Sequence, residues 1–92
     1  MGIDALDLTF RLEKAFHVTF PPSIWHAALD PGRRDFRVGA VYELVCARLR
    51  QLGKPVPPSS WHRFQLCVAQ TLGEPLNRIK RDAWLMKDLG FS

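Results

Sequence analysis

Three stretches of this 92-residue chain repeat apolar residues at helical spacing, and prolines separate each from the next. In an α-helix, residues three and four apart share a face, whereas a strand alternates every second residue. Ile3 to Phe16 places Leu8, Leu12, Ala15 and Phe16 on one arc. Val38, Val41, Tyr42, Val45, Leu49 and Leu52 form a second series, and Trp61, Phe64, Val68 and Leu72 a third. Pro21-Pro22, Pro31, Pro55, Pro57-Pro58 and Pro75 lie between or after these segments, where a missing N–H and a fixed φ stop a helix. Nowhere is there sustained alternation or a hairpin-turn signature, so no strand is expected. The predicted fold class is all-α, a small helical bundle.

The punctuation gives boundaries. After the first helix, Ser23 can cap a short turn through Ile24–Leu29, which Asp30-Pro31-Gly32 ends. The segment Arg33 to Arg37 reads as loop. Gly53 fits the end of the second long helix, while Arg48 and Arg50 suit the negative end of its dipole. Lys54 to Ser60 is a linker stiffened by three prolines. Ser59 or Ser60 caps the last helix, and Gly73 and Pro75 end it. From Glu74 onward the chain reads as a long, mostly irregular segment anchored by Leu76, Ile79, Trp84, Leu85 and Leu89.

With 47% hydrophobic and 24% charged residues, the composition is that of one globular domain over residues 1–92. No apolar run approaches a membrane span, the start lacks a basic-then-apolar signal, and two cysteines make no disulfide framework. A cytoplasmic protein without a membrane partner is expected. Cys46 and Cys67 read as small core hydrophobes. The net charge of +4 suggests an anionic partner. Positive charge gathers at Arg33-Arg34-x-x-Arg37, at Arg48-x-Arg50 with Lys54, and at Arg78-x-Lys80-Arg81. Apart from Phe36, no aromatic is interleaved with these clusters, which argues against a single-strand nucleic-acid binder. There is no glycine-rich phosphate loop, nucleophile elbow, triad, carboxylate pair or zinc-ligand spacing. No catalytic residue and no metal ligand are assigned, and an enzyme is not expected.

The two ends of the chain, taken together, resemble the acyl carrier protein family. In that family an Asp-Leu-Gly-x-Asp-Ser-Leu motif runs into a helix, and its serine bears phosphopantetheine. Here Asp88-Leu89-Gly90-Phe91-Ser92 closes the chain, and the matching helix, Ile3 through Phe16, opens it. Phe64 through Ser92 resembles the family's first helix and following loop. Leu72-Gly73 matches the helix-ending Leu-Gly, Ile79 the loop's buried Val or Ile, and Leu85-Met86-Lys87-Asp88-Leu89-Gly90 the Phe-Val-Glu-Asp-Leu-Gly run. Phe36-Arg37-Val38-Gly39 looks like the opening of the fourth helix. The resemblance implies an acyl-carrier-like bundle in circularly permuted order. Residues 1–53 would supply the second to fourth family helices, 54–60 the linker, and 61–92 the first helix and long loop. It also implies that the terminal helix folds back beside the opening one and leaves the two ends adjacent. At ~3.1 Å per residue the linker reaches roughly 20–30 Å, enough to close the bundle within one chain or to hand the last helix to a neighbour. A monomer and a domain-swapped dimer both stay open.

The family serine has no counterpart. The gap-free register set by Leu8, Leu12, Glu13 and Phe16 puts Gly2 at its position, a second register puts Ala5 there, and from the other end Ser92 falls one residue short. The function this implies is an acyl-carrier-like, non-catalytic protein-binding module associated with fatty-acid or polyketide metabolism. It would carry no cofactor on the usual serine. Its partner would be a protein or acyl-processing enzyme that meets the first helix at Leu6, Asp7, Phe10, Arg11 and Lys14. The second apolar arc of that helix, Ile3, Leu6 and Phe10, is either this docking face or is covered by the long C-terminal segment. Two further readings remain: a working phosphopantetheine carrier modified at Ser92, and a basic nucleic-acid-binding helical domain.

Overall fold

The computed structural model describes residues 3–92, so Gly2, the position matched to the family serine, lies outside the described residues. The elements run α1 (Ile3–Phe16), α2 (Ile24–Ala28), β1 (Leu29–Asp30), β2 (Asp35–Phe36), α3 (Val38–Gln51), α4 (Ser60–Leu72), a 3₁₀ turn (Leu76–Arg78) and α5 (Leu85–Leu89). The chain is predominantly helical, as the apolar periodicity requires.

Each long helix buries most of the predicted stripe, with Ala15, Trp61 and Leu72 only partly buried and Leu52, beyond the end of α3, 43% exposed. From α1 the buried residues are Ala5, Leu8, Leu12 and Phe16, from α3 Val38, Val41, Val45 and Leu49, and from α4 Phe64 and Val68. α4 folds back antiparallel along α1. Its Arg63 Nη1 donates to the Ala15 carbonyl at 3.4 Å, while Arg11 Nη1 meets Gln70 Oε1 at 3.4 Å further along. The Cys67 thiol points at the Arg11 carbonyl between them, at 3.7 Å. α2 packs on α3. Tyr42, Trp61 and Phe64 form an aromatic cluster joining α3 to α4, with centroids 5.0–5.7 Å apart. There the Tyr42 and Ser60 hydroxyls are hydrogen-bonded at 2.6 Å.

Ser60 belongs to α4, one residue earlier than the linker boundary read from composition, and its side chain serves this buried contact instead of capping the helix. Ser23 likewise makes no side-chain cap. Gly53 and Gly73 do end α3 and α4 with left-handed φ of 72° and 67°, which costs glycine little.

The expectation that the chain contains no strand needs correction. Leu29–Asp30 and Asp35–Phe36 pair antiparallel, Leu29 opposite Phe36 and Asp30 opposite Asp35. The intervening loop is shaped by Asp30, whose Oδ1 accepts the N–H groups of Gly32 and Arg33 at 2.9 and 3.0 Å. Strands two residues long leave no alternation in the sequence, so part of the segment read as loop is ladder.

The segment after α4 is also more ordered than its irregular sequence suggests. Arg37 forms an isolated antiparallel bridge with Trp84. The N–H groups of Val38 and Gly39, at the start of α3, donate to the carbonyls of Ala83 and Arg81, each at 2.9 Å. The C-terminal loop thus supplies acceptors for two of the free donors that every helix start presents.

Candidate docking site at the chain junction

The start of α1 and the end of the chain lie side by side. The Asp4 N–H donates to the Ser92 carbonyl at 3.1 Å, and the Ser92 N–H donates to Asp4 Oδ2 at 3.0 Å. The Ser92 hydroxyl is 3.4 Å from the same carboxylate oxygen. Three features place Ser92 there. Gly90 ends α5 with a φ of 75°, turning the chain. The Phe91 N–H then donates to the Leu85 carbonyl at 2.9 Å. The Phe91 ring is buried against Trp25 and Phe36, with centroids 5.4 and 5.8 Å away.

Beside this junction lies an apolar groove of about 460 Å³, lined by Ile3, Ala5, Leu6, Thr9, Phe20, Pro21, Pro22 and Trp25. Trp25 forms part of its wall and is fixed by an indole N–H donating to Thr9 Oγ1 at 3.0 Å. Thr9 in turn donates to the Ala5 carbonyl at 2.7 Å. Phe20 is held by its N–H donating to Glu13 Oε2 at 2.8 Å. A groove whose walls are tied by hydrogen bonds to the helix beneath it is preformed, which lowers the ordering cost of occupation.

The second arc of α1 is uncovered. Ile3, Leu6 and Phe10 are 79%, 60% and 61% exposed. The C-terminal segment passes the start of α1 at Ser92 without covering this arc. Single exposed apolar residues mean little, but three on one helix face, of which Ile3 and Leu6 line the apolar groove, form a patch. Of the other predicted docking residues, Asp7 and Arg11 are half-buried and paired through Arg11 Nε at 2.9 Å, and Lys14 is exposed. Leu6, Asp7, Phe10, Arg11 and Lys14 therefore all lie along the outer part of α1. Ala5, the alternative match to the family serine, is buried at 3% exposure and has no hydroxyl.

The arginine clusters sort differently from their sequence grouping. Arg78 is engaged, its Nη1 toward Glu74 Oε2 at 3.4 Å and its Nη2 donating to the Asp88 carbonyl at 2.9 Å. Arg33 and Arg37 lie against the Trp84 ring, 4.8 and 4.2 Å from its centroid. Arg81 lies over Trp61 and Tyr42 at 4.7 and 5.0 Å. Along the chain Phe36 is the aromatic that falls within these clusters, but in space Trp84, Trp61 and Tyr42 join the arginines. Their rings are covered by guanidinium groups, so they offer no open platform for a base.

Nothing in the sequence singles out Asp35. It is 6% exposed, and its carboxylate accepts three backbone N–H groups: Phe36 at 2.6 Å, Met86 at 2.9 Å and Lys87 at 3.0 Å. It caps α5 from fifty-one residues away, and such a partner carries no local signal. Burial pushes the Cys67 thiol up from its ordinary value, with Arg11 and Arg63 partly opposing. Tyr42 is also raised, mainly by burial, with the Ser60 hydrogen bond offsetting part of the effect. Both groups serve the core, consistent with their assignment as structural. Among the described residues no cluster of His, Cys, Asp or Glu could hold a metal ion, and no helix is long and apolar enough to cross a membrane.

No protein-family model, curated protein or solved structure matches this chain.

Proposed function

We propose that this domain is an acyl-carrier-like protein-binding module in permuted order that engages a partner protein through the outer face of α1 and does not carry phosphopantetheine. The observation that carries this reading is the uncovered patch of Ile3, Leu6 and Phe10, whose Ile3 and Leu6 also line the groove walled by Phe20 and Trp25. Adjacent chain ends and the antiparallel return of α4 along α1 are consistent with a permuted carrier bundle. A partner would bury the three side chains and fill the groove with an apolar residue of its own. Asp7, Arg11 and Lys14 would border that contact and set its orientation more than its strength.

The residues at the junction do not fit a phosphopantetheine arm. The hydroxyl there comes from Ser92, and a phosphodiester on it would sit against the Asp4 carboxylate 3.4 Å away. The Asp4 N–H, which could otherwise favour a phosphate at the helix start, is occupied by the Ser92 carbonyl.

Two measurements test the reading. Incubated with coenzyme A and a promiscuous phosphopantetheinyl transferase, the protein should gain no mass. A clean gain that disappears in Ser92→Ala would replace this reading with a carrier modified at Ser92. Against a panel of purified acyl-processing enzymes, the wild type should bind at least one member, and Leu6→Asp/Phe10→Asp should abolish that binding while leaving the helical signal intact. Binding insensitive to the double substitution would remove α1 from the interface.

A further inference from the structure

On elements away from the outer face of α1, three arginines lie over aromatic rings. We propose that Arg33, Arg37 and Arg81 form a second interaction surface, which binds a carboxylate-rich segment of a partner protein. The guanidinium carbons of Arg33 and Arg37 lie 4.8 and 4.2 Å from the Trp84 centroid, and that of Arg81 lies 4.7 Å from Trp61. Trp84 is 8% exposed, so its ring is effectively sealed under its neighbours. The main-chain bridge between Arg37 and Trp84, and the Gly39 N–H donated to the Arg81 carbonyl, hold the three residues on one continuous stretch of surface.

A guanidinium held against an aromatic face loses side-chain freedom but keeps N–H groups that can form the fork that matches a carboxylate. Much of the side-chain entropy normally lost when a long arginine binds is therefore already lost here. The groups are also poorly neutralised. Among the described residues the Arg33 guanidinium has no hydrogen-bond or ion-pair partner. Arg37 donates one N–H to the Asp82 carbonyl at 3.2 Å, and Arg81 has a loose, exposed contact with Glu43 at 3.9 Å.

The choice of carboxylates over nucleic-acid phosphates follows from two features. Arginines already cover the rings, so bases have nowhere to stack. Carboxylates also lie within the strip: Glu43 touches Arg81, Asp30 accepts the Arg33 main-chain N–H, and Asp82 follows Arg81 in the chain. A duplex backbone, with one charge per ~1.7 Å of axis, would press phosphates against these acids. An acidic protein segment can place discrete carboxylates on the arginines and avoid the acids.

The test uses as probe a fluorescent peptide whose glutamates are spaced by glycine and serine, measured by anisotropy alongside a DNA duplex of the same charge. The wild type should bind the peptide more tightly than the duplex. Arg33→Lys/Arg37→Lys/Arg81→Lys keeps every charge but removes the forks, and should weaken peptide binding at least about tenfold. Arg50→Lys, on the far end of α3, should leave it within about twofold. If the triple variant unfolds, Arg33→Lys alone replaces it and should weaken binding about threefold. Equal binding by the lysine variants would reduce the strip to non-specific charge and overturn the proposal. Tighter binding of the duplex would also overturn it, in favour of a backbone-phosphate surface. Neither result depends on what α1 binds.

Discussion

Replacing Asp35 with alanine tests how the C-terminal segment is held in place. The side chain is buried, and its carboxylate accepts N–H groups from Phe36, Met86 and Lys87 at 2.6, 2.9 and 3.0 Å. The last two belong to the first turn of α5, where a helix leaves its donors without intrahelical acceptors. Hydrogen bonds to a charged group contribute about 1.5–3 kcal/mol each, and a stranded donor adds its own desolvation penalty. Water can reach part of the Met86–Lys87 turn, because both residues are exposed. The expected loss is therefore about 3–5 kcal/mol, below the simple sum over three bonds. A domain of this size has roughly 5–15 kcal/mol in total, and each kcal/mol moves its melting temperature by about 4–8 °C. Urea titration followed by circular dichroism should give that difference at unchanged slope. Amide exchange should accelerate first at Met86 and Lys87, then at Phe91, Ser92 and Asp4, because α5 positions Phe91 against Trp25 and Ser92 against Asp4. Asp35→Asn, which keeps one acceptor of similar size, should cost about half as much. A loss below about 1 kcal/mol in the alanine variant, with exchange at Ser92 unchanged, would refute the claim that Asp35 holds the chain end in place.

Two further expectations follow from the packing. Gly39→Ala should destabilise by about 1–3 kcal/mol in the same titration, because the added Cβ would lie 2.9 Å from the Arg81 carbonyl oxygen, a backbone atom that cannot swing away. Alkaline conditions should also weaken the fold, because burial raises the Cys67 thiol above its ordinary value of 9.0. The folded protein then holds a proton that the unfolded chain gives up. Stability is full below about pH 9 and falls as pH rises from there toward the folded value. Cys67→Val should flatten that part of the pH–stability curve, and an unchanged slope would place the titration elsewhere.

What the chain specified locally was its helices. Leu8, Leu12 and Phe16, or Val41, Val45 and Leu49, share a face whatever surrounds them, because 3.6 residues per turn is a property of the backbone. The prolines and the terminal glycines acted at the same short range, through φ and a missing donor. Trp84 could be read as an anchor, but Asp35, the Arg37–Trp84 bridge and the β1–β2 ladder were not legible, because each takes its meaning from residues roughly fifty positions away or from a pairing only two residues long. The same holds for the candidate sites. The second apolar arc of α1 could be read from its spacing, but whether anything covered it depended on where the C-terminal segment passed. The arginines were visible as charge, but their neighbours fell into place only once α3, α4 and the 80–84 loop had packed together. Helix formation depends on contacts a few residues apart. Covering a face or stacking a guanidinium requires surfaces that only the folded chain brings together.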